Sequence, residues 1–260
     1  MWILKVEISV INYKTYDLLQ AFIDSYEQFK PKTESHLTII DVDSEDGFDD
    51  LKIPSDAWSV RSDWNLGYAL ACNYAGFNSD ADVLAFFNSD TRFVDNECVD
   101  YCVDFLVSNP DVGIVGPLQY DSTFRATHGG IFGTLEKPQH NGWRSPRLQE
   151  LRFDRKAVTV SGSAFFIKRD LWSELTNCSI YASMFPDVIG AFLPTQHYYE
   201  ETGCAYHAQA HGKEVWYLGN AEMIHEWHKS SPVGGEVDSR MGEAKKIFVD
   251  FCDAHGIDHD

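Results

Sequence analysis

A chain of 260 residues with 44% apolar, 14% aromatic and 23% charged residues has the balance of a globular protein and excludes a disordered or fibrous one. It is long enough to bury a substantial core, as one large α/β domain. The 40 acids against 21 bases give a formal net charge of -19, which disfavours broad contact with nucleic acid or an anionic membrane.

The amino terminus opens directly into an apolar strand, without a basic leader. No apolar run approaches the roughly 20 residues that span a bilayer, so the expectation is a soluble, cytoplasmic protein. Six cysteines (Cys72, Cys98, Cys102, Cys178, Cys204 and Cys252) contain no Cys-x-x-Cys pair and read as small buried hydrophobes in a reducing compartment.

Leu4 to Ile11 reads as a first buried strand ending at Asn12-Tyr13. Leu18, Leu19, Phe22, Ile23, Tyr26 and Phe29 follow at helical spacing until Pro31. Leu37 to Val42 is a second strand, closed by the turn-forming Asp43-Ser44-Glu45-Asp46-Gly47, and Ala57 to Arg61 a third. Leu66, Leu70, Asn73 and Tyr74 suit a helix over Leu66 to Phe77. Val83 to Thr91, VLAFFNSDT, is a short apolar run that stops abruptly at polar residues, the pattern of a strand buried on both faces. A helix over Asp95 to Ser108 and a strand at Val112 to Val115 come next. This alternation predicts a mostly parallel sheet with helices on its faces.

After Pro117 the pattern loosens, and Arg125 to Asp154 shows little regular structure. His128 and Trp143 fall in this stretch. Val158 to Ile167 restores a strand, and Asp170 to Leu175 is a short helix. Tyr198 to His211 is a helix ended by Gly212, and Glu214 to Leu218 and Glu222 to Glu226 are short strands. Glu236 to His255 carries Met241, Ala244, Ile247, Phe248 and Phe251 on one face as an amphipathic closing helix.

Ligands of open parallel sheets bind at the carboxyl ends of the strands. A carboxylate fixed there suits a hard divalent cation, which takes oxygen ligands and keeps some of its waters, so Asp90 is the first candidate metal ligand. Asp41, in IIDVDSEDG where a strand ends in acids, has the chemistry to accept hydrogen bonds from a nucleobase or ribose. Gly67, near a helix amino terminus in NLGYALACNYAG, lets backbone approach a ligand. Tyr198 to Gly203, YYEETG, sets Glu200 and Glu201 at a helix start. The pair His225 and His228 is spaced three apart with no third ligand marked, whereas the helical zinc-protease motif needs four.

In order, these segments resemble the family-two glycosyltransferases of the GT-A fold, and within them the rhamnosyltransferase-like branch. IIDVDSEDG is similar to the family's VVDNGSTDG, NLGYALACNYAG to NxGFAxAxNxG, and FFNSDT to LNPDT. RATHGGIFG is similar to DxGG, VSGSAFFIKRDLW to VxGAxxLIRRexf, YYEETG to FFEDxD and AEMIHEWHKSS to AxVxHxxxxS. The resemblance runs from about Val6 to Ser231. It implies a Rossmann-like GT-A domain over residues 1–235, with a nucleotide-binding half at about 1–117, an acceptor-side half at about 118–235, and a packed helix at 236–260.

The implied activity is metal-dependent, inverting transfer of a hexosyl or rhamnosyl group from a UDP- or dTDP-linked sugar to an acceptor hydroxyl. The implied cofactor is Mn²⁺ or Mg²⁺. Asn12, Asp41, Asp43, Asn65, Gly67, Asn73 and Asn88 would line the donor pocket, Asp90 and His225 would hold the metal, and Glu201, or its neighbour Glu200, would be the general base. The acceptor, a glycan, lipid-linked sugar, protein or modified nucleotide, is not specified. Departures are Glu201 for the family's Asp, Gly203 for its second acid, His207 for its arginine and Asn88 for the first acid of an Asp-x-Asp pair. They leave a non-catalytic nucleotide-sugar or glycan-binding module as the alternative. A sugar-phosphate nucleotidyltransferase would need a basic Gly-rich loop where Asn12-Tyr13-Lys14 stands.

Overall fold

The computed structural model describes residues 4–43, 47–134, 137–226 and 235–259, with side chains of the last helix from 240 onward. Ser44, Glu45 and Asp46 of the acidic turn, and Trp227 and His228, lie outside the described residues.

The strands are β1 (Lys5–Asn12), β2 (Glu34–Val42), β3 (Trp58–Ser62), β4 (Val83–Asn88), β5 (Thr91–Phe93), β6 (Val112–Tyr120), β7 (Ala126–His128), β8 (Ile131–Gly133), β9 (Pro138–His140), β10 (Asp154–Ala157), β11 (Ala164–Lys168) and β12 (Glu214–His225). The helices are α1 (Tyr16–Gln28), α2 (Gly67–Asn78), α3 (Cys98–Ser108), α4 (Arg169–Thr176), α5 (Ser179–Met184), α6 (Glu200–Ala210) and α7 (Gly235–His255).

One sheet runs in the order β10-β12-β6-β11-β4-β1-β2-β3, with β5 added to β12 and β7 to β6. Strands β1 to β4, β6 and β12 run the same way, while β11 lies against β4 and β6 in the opposite sense. The mostly parallel α/β sheet expected from the alternation is present.

Period-two alternation sends the side chains of each strand to two separate layers. On one face Val6, Ile8, Val10, Ala85 and Phe87 pack against Phe22 of α1 and Val99, Val103 and Leu106 of α3. Phe87 meets Phe22 at 5.6 Å between ring centroids. On the other face Leu84, Phe86, Ile114 and Phe165 pack against Cys72 and Ala75 of α2 and Phe192. Burying each such ring is worth on the order of 2 kcal/mol. A third layer joins Phe248, Phe251 and Cys252 of α7 to Tyr181, Leu193 and Tyr206.

The stretch expected to be irregular, Arg125 to Asp154, is instead threaded by β7, β8 and β9, each three residues long and too short to show a period. The strand expected over Val158 to Ile167 begins only at Ala164, because Val158 to Ser163 run as a loop crossing the sheet edge. The two short strands expected near the carboxyl end are one, β12, interrupted where pairing passes from Leu218 opposite Pro117 to Glu222 opposite Leu118.

Candidate active site and metal centre at the carboxyl edge of the sheet

The carboxyl ends of β1, β2 and β4 lie side by side, with Asn12 opposite Asp41 and Ile11 opposite Asn88 in register. β4 then turns through Ser89 and Asp90 into β5, whose Thr91 pairs with His225 at the end of β12. Two strand ends distant in sequence therefore bring Asp90 and His225 together. His225 Nε2 lies 3.5 Å from Asp90 Oδ1.

Asp90 is 2% exposed, and neither of its carboxylate oxygens accepts a hydrogen bond among the described residues. A buried ionisable oxygen without a partner is costly, and a cation is its usual resolution. Neighbouring ligands of an octahedral ion with ~2.1 Å bonds stand about 3.0 Å apart. The Asp90–His225 pair would need to close by only about half an ångström. One carboxylate and one imidazole suit Mn²⁺ or Mg²⁺, ions that complete their shell with phosphate and water oxygens.

Next to this pair is His128 on β7, buried, its Nε2 accepting the Ser161 N–H at 3.4 Å. Burial, with His140 and His225 nearby, pushes its pKa down to about 3, so it stands neutral. The stretch Ser161-Gly162-Ser163 ties the edge together. Its Ser163 carbonyl accepts the Asn88 N–H at 3.1 Å, the Ser163 hydroxyl donates to Gln119 Oε1 at 2.6 Å, and the Gly162 carbonyl accepts the Tyr68 hydroxyl. A Cβ at Gly162 would stand 3.2 Å from Glu201 Cδ, so glycine here permits close approach of the glutamate. Asp90 and Glu201 are thereby joined to one edge through one loop.

Glu200 and Glu201 begin α6 after two consecutive non-glycine residues in left-handed conformation, Tyr198 (φ 70°) and Tyr199 (φ 68°). Such backbone costs on the order of 1 kcal/mol per residue and is kept where the surroundings fix it. Here Thr195 Oγ1 donates to the Tyr198 carbonyl at 2.8 Å, and the Tyr199 ring stacks on Phe248 of α7 at 5.0 Å.

The turn separates the two glutamates. Glu200 is 4% exposed, and its burial, with the adjacent Glu201 charge, drives its carboxyl well above the usual glutamate range. Glu201 is half-buried. Burial raises it too, while the N–H groups of Glu201, Gly162 and Thr202 favour its ionised form. A carboxyl held protonated in the fold stabilises it at low pH and loses that contribution as pH rises through the raised pKa. Glu200→Gln should therefore melt at least about 2 °C higher than the parent at pH 8, the shift that ~1 kcal/mol gives in a large domain. Near pH 4 the difference should vanish in scanning calorimetry.

Of the residues expected to line a donor pocket, Asp41 is 1% exposed. Its Oδ1 accepts Asn12 Nδ2 at 2.7 Å and its Oδ2 faces Arg61 Nε at 3.5 Å. Asn12 is buried and also accepts Thr15 Oγ1 at 2.8 Å, so it positions Asp41 and offers no face to a ligand. Asp43 has φ 52° at the end of β2. Asn65 is exposed and its Oδ1 caps the Gly67 N–H at 2.8 Å, with Gly67 at φ 72° opening α2. Asn88 is partly buried.

Asn73 departs from expectation. It is 2% exposed, and its amide both donates to the Phe192 carbonyl and accepts the Phe192 N–H at 3.0 Å, which locks α2 to the chain before α6 and uses the side chain up. Trp143, in the loosely patterned stretch, is 41% exposed. Cys178 is partly exposed and is not a buried hydrophobe. Sequence reasoning missed Tyr68 and Gly162 as members of the site, and named His128 only as part of the loosely patterned stretch. The signal for the second was a glycine inside a strand-like run, which marks close approach. A surface cleft of about 730 Å³ lies at the opposite, amino edge, by Lys5, Glu34 and Ser79, and holds none of these residues.

Among solved structures the chain resembles a mannosyltransferase, PcManGT, from Pyrobaculum calidifontis, in complex with GDP-Man and Mn²⁺ (15% identity, TM-score 0.62, 94% of this chain and 62% of that one). It also resembles GalNAc-T7 with UDP, GalNAc and Mn²⁺ (13% identity, TM-score 0.65, 96% of this chain and 48% of that one). The fold is GT-A. The GT-A chain spans about six-tenths and about half of the length of these two proteins, and at such identities the likeness is one of fold. No protein-family model and no curated protein matches it. No helix among the described residues is long and apolar enough to cross a membrane.

Proposed function

We propose that the protein is a metal-dependent, inverting glycosyltransferase that moves a hexosyl or rhamnosyl group from a nucleoside diphosphate sugar, UDP- or dTDP-linked, to an acceptor hydroxyl. The observation that carries this reading is the pair of buried Asp90 oxygens that accept no hydrogen bond among the described residues and stand beside His225, on the same edge as Glu201. In this reading residues 1–117 serve the donor, residues 118–235 serve the acceptor, and helix 236–260 packs behind them.

Asp90 and His225 would hold Mn²⁺ or Mg²⁺, which neutralises charge on the departing diphosphate. Asp41, with one oxygen fixed by Asn12 and the other beside Arg61, would accept hydrogen bonds from the base or ribose. Asp43, Asn65 and Gly67 would form the rim of that pocket, with Asn88 between it and the metal. Glu201 would take the acceptor hydroxyl proton as the new bond forms at the anomeric carbon and the bond to the diphosphate oxygen breaks. Its contact with Gly162 keeps the carboxylate aimed. Glu200, the more deeply buried of the two and with its carboxyl driven well above the usual glutamate range, is less suited to that task and would instead keep the helix start desolvated.

A thermal-shift screen of UDP-, dTDP- and GDP-sugars with Mn²⁺ tests the reading. At 100-fold excess over Kd a ligand adds ~2.7 kcal/mol of apparent stability, so a matching donor should raise the melting temperature by several degrees, only with Mn²⁺ or Mg²⁺ present. No shift with any of the three would overturn it, and a shift without detectable hydrolysis or transfer would favour a binding module.

A further inference from the structure

Away from the carboxyl edge, a second group of metal-binding side chains joins three elements. Cys178 precedes α5, His207 lies within α6 and His255 ends α7. One ligand atom from each, a sulfur and two ring nitrogens, lies within 4.8 Å of the others. Cys178 Sγ and His255 Nε2 are 3.6 Å apart. In a tetrahedral zinc site, with Zn–S about 2.3 Å and Zn–N about 2.05 Å, adjacent sulfur and nitrogen stand about 3.6 Å apart and two nitrogens about 3.3 Å. The cysteine–histidine edge already has that length, and His207 needs a side-chain shift on the order of 1 Å to complete the triangle.

Three further observations point to a ligand. His207 is fully buried, yet neither ring nitrogen has a hydrogen-bond partner among the described residues, an arrangement folded proteins avoid unless something else occupies the site. His255 Nδ1 donates to the Phe251 carbonyl at 2.9 Å, which fixes its tautomer and leaves the Nε2 lone pair facing Cys178. His211, whose ring lies 4.8 Å from that of His207, has its Nδ1 on Glu174 at 2.7 Å. That is the outer-shell carboxylate usual behind a metal-ligating histidine.

We propose that Cys178, His207 and His255 hold a zinc ion that ties α7 to the body of the protein, with water or His211 in the fourth position. A thiolate with two imidazoles selects zinc over the oxygen-preferring cations that suit Asp90, so the two sites differ in chemistry. The zinc site would sit behind the turn that carries the glutamates, since Phe248 of the same helix stacks on Tyr199.

Metal analysis of the full purified chain tests this, followed by chelator stripping and titration with Zn²⁺ alone and with Co²⁺ as a spectroscopic probe. The expected results are one equivalent of tightly held zinc, a rise in melting temperature on adding Zn²⁺ to stripped protein, and the thiolate charge-transfer and intense visible bands of tetrahedral Co²⁺. Cys178→Ser and His255→Gln should each lose the zinc, while Asp90→Ala keeps it. Where a variant fails to fold by circular dichroism, the cobalt spectrum of the parent decides. Absence of the charge-transfer band, or zinc retained in both folded variants, would overturn the site and leave an S–H···N hydrogen bond among packed rings. Neither outcome bears on the Asp90 centre, whose readout is donor binding.

Discussion

Asp90→Ala should lower turnover by at least about 10³-fold, the scale on which removal of a preorganised charge-stabilising group acts, and should abolish the Mn²⁺ dependence of donor binding. The same substitution should make the unliganded protein more stable, because it removes a carboxylate whose two buried oxygens have no hydrogen-bond partner among the described residues. The opposite signs are what distinguish a ligand from a structural residue: a structural aspartate would lose stability and activity together. Calorimetric titration of a nucleoside diphosphate with Mn²⁺, beside a melting curve of the apo variant, reads both. Asp90→Ala with unchanged metal-dependent affinity would remove the centre from this edge.

Glu201→Gln should lower kcat by roughly 10² to 10⁴, the range of a general base, while leaving donor affinity within a factor of a few. The substitution is nearly isosteric, and the amide still packs against Gly162, so the donor pocket keeps its shape. Burial raises the Glu201 carboxyl, so the acid limb of the rate profile should lie above the ordinary glutamate value of about 4.3. Activity then falls as pH drops through that raised value, because the proton acceptor is lost. In the glutamine variant the limb should disappear. Glu200→Gln serves as the control, and a larger loss there than at Glu201 would reverse the assignment.

Much of this edge was legible because its strands carry their own signals. Five consecutive apolar residues ending at NSDT mark a doubly buried strand with a polar tip, and β4 runs Val83–Asn88 with Asp90 just beyond. The α1 stripe of Leu19, Phe22, Ile23 and Tyr26 is buried as its spacing demands. The rest depends on pairing that no local pattern encodes. Each strand of the 126–140 segment is three residues long, below the length at which alternation can be read. Asn73 has the residue type of a ligand contact, but its partner Phe192 is 119 positions away, and only the fold reveals that the amide is already satisfied. Cys178, His207 and His255 share no motif because three helical segments supply one each.

The irregularity in β12 governs the centre from a distance. Between the last two of its registers β12 advances from 218 to 222 while β6 advances from 117 to 118, an excess of three residues. An odd excess inverts parity: Val215 and Tyr217 pack into the layer of α2, whereas Ala221 and Met223 pack into the layer of α1 and α3. His225 keeps step with Met223, so its orientation toward Asp90 is counted off by those three residues. One residue more there would hand its place to the apolar Ile224 and one fewer to Glu226, so a single-residue insertion or deletion around Gly219 should break the Asp90–His225 pair.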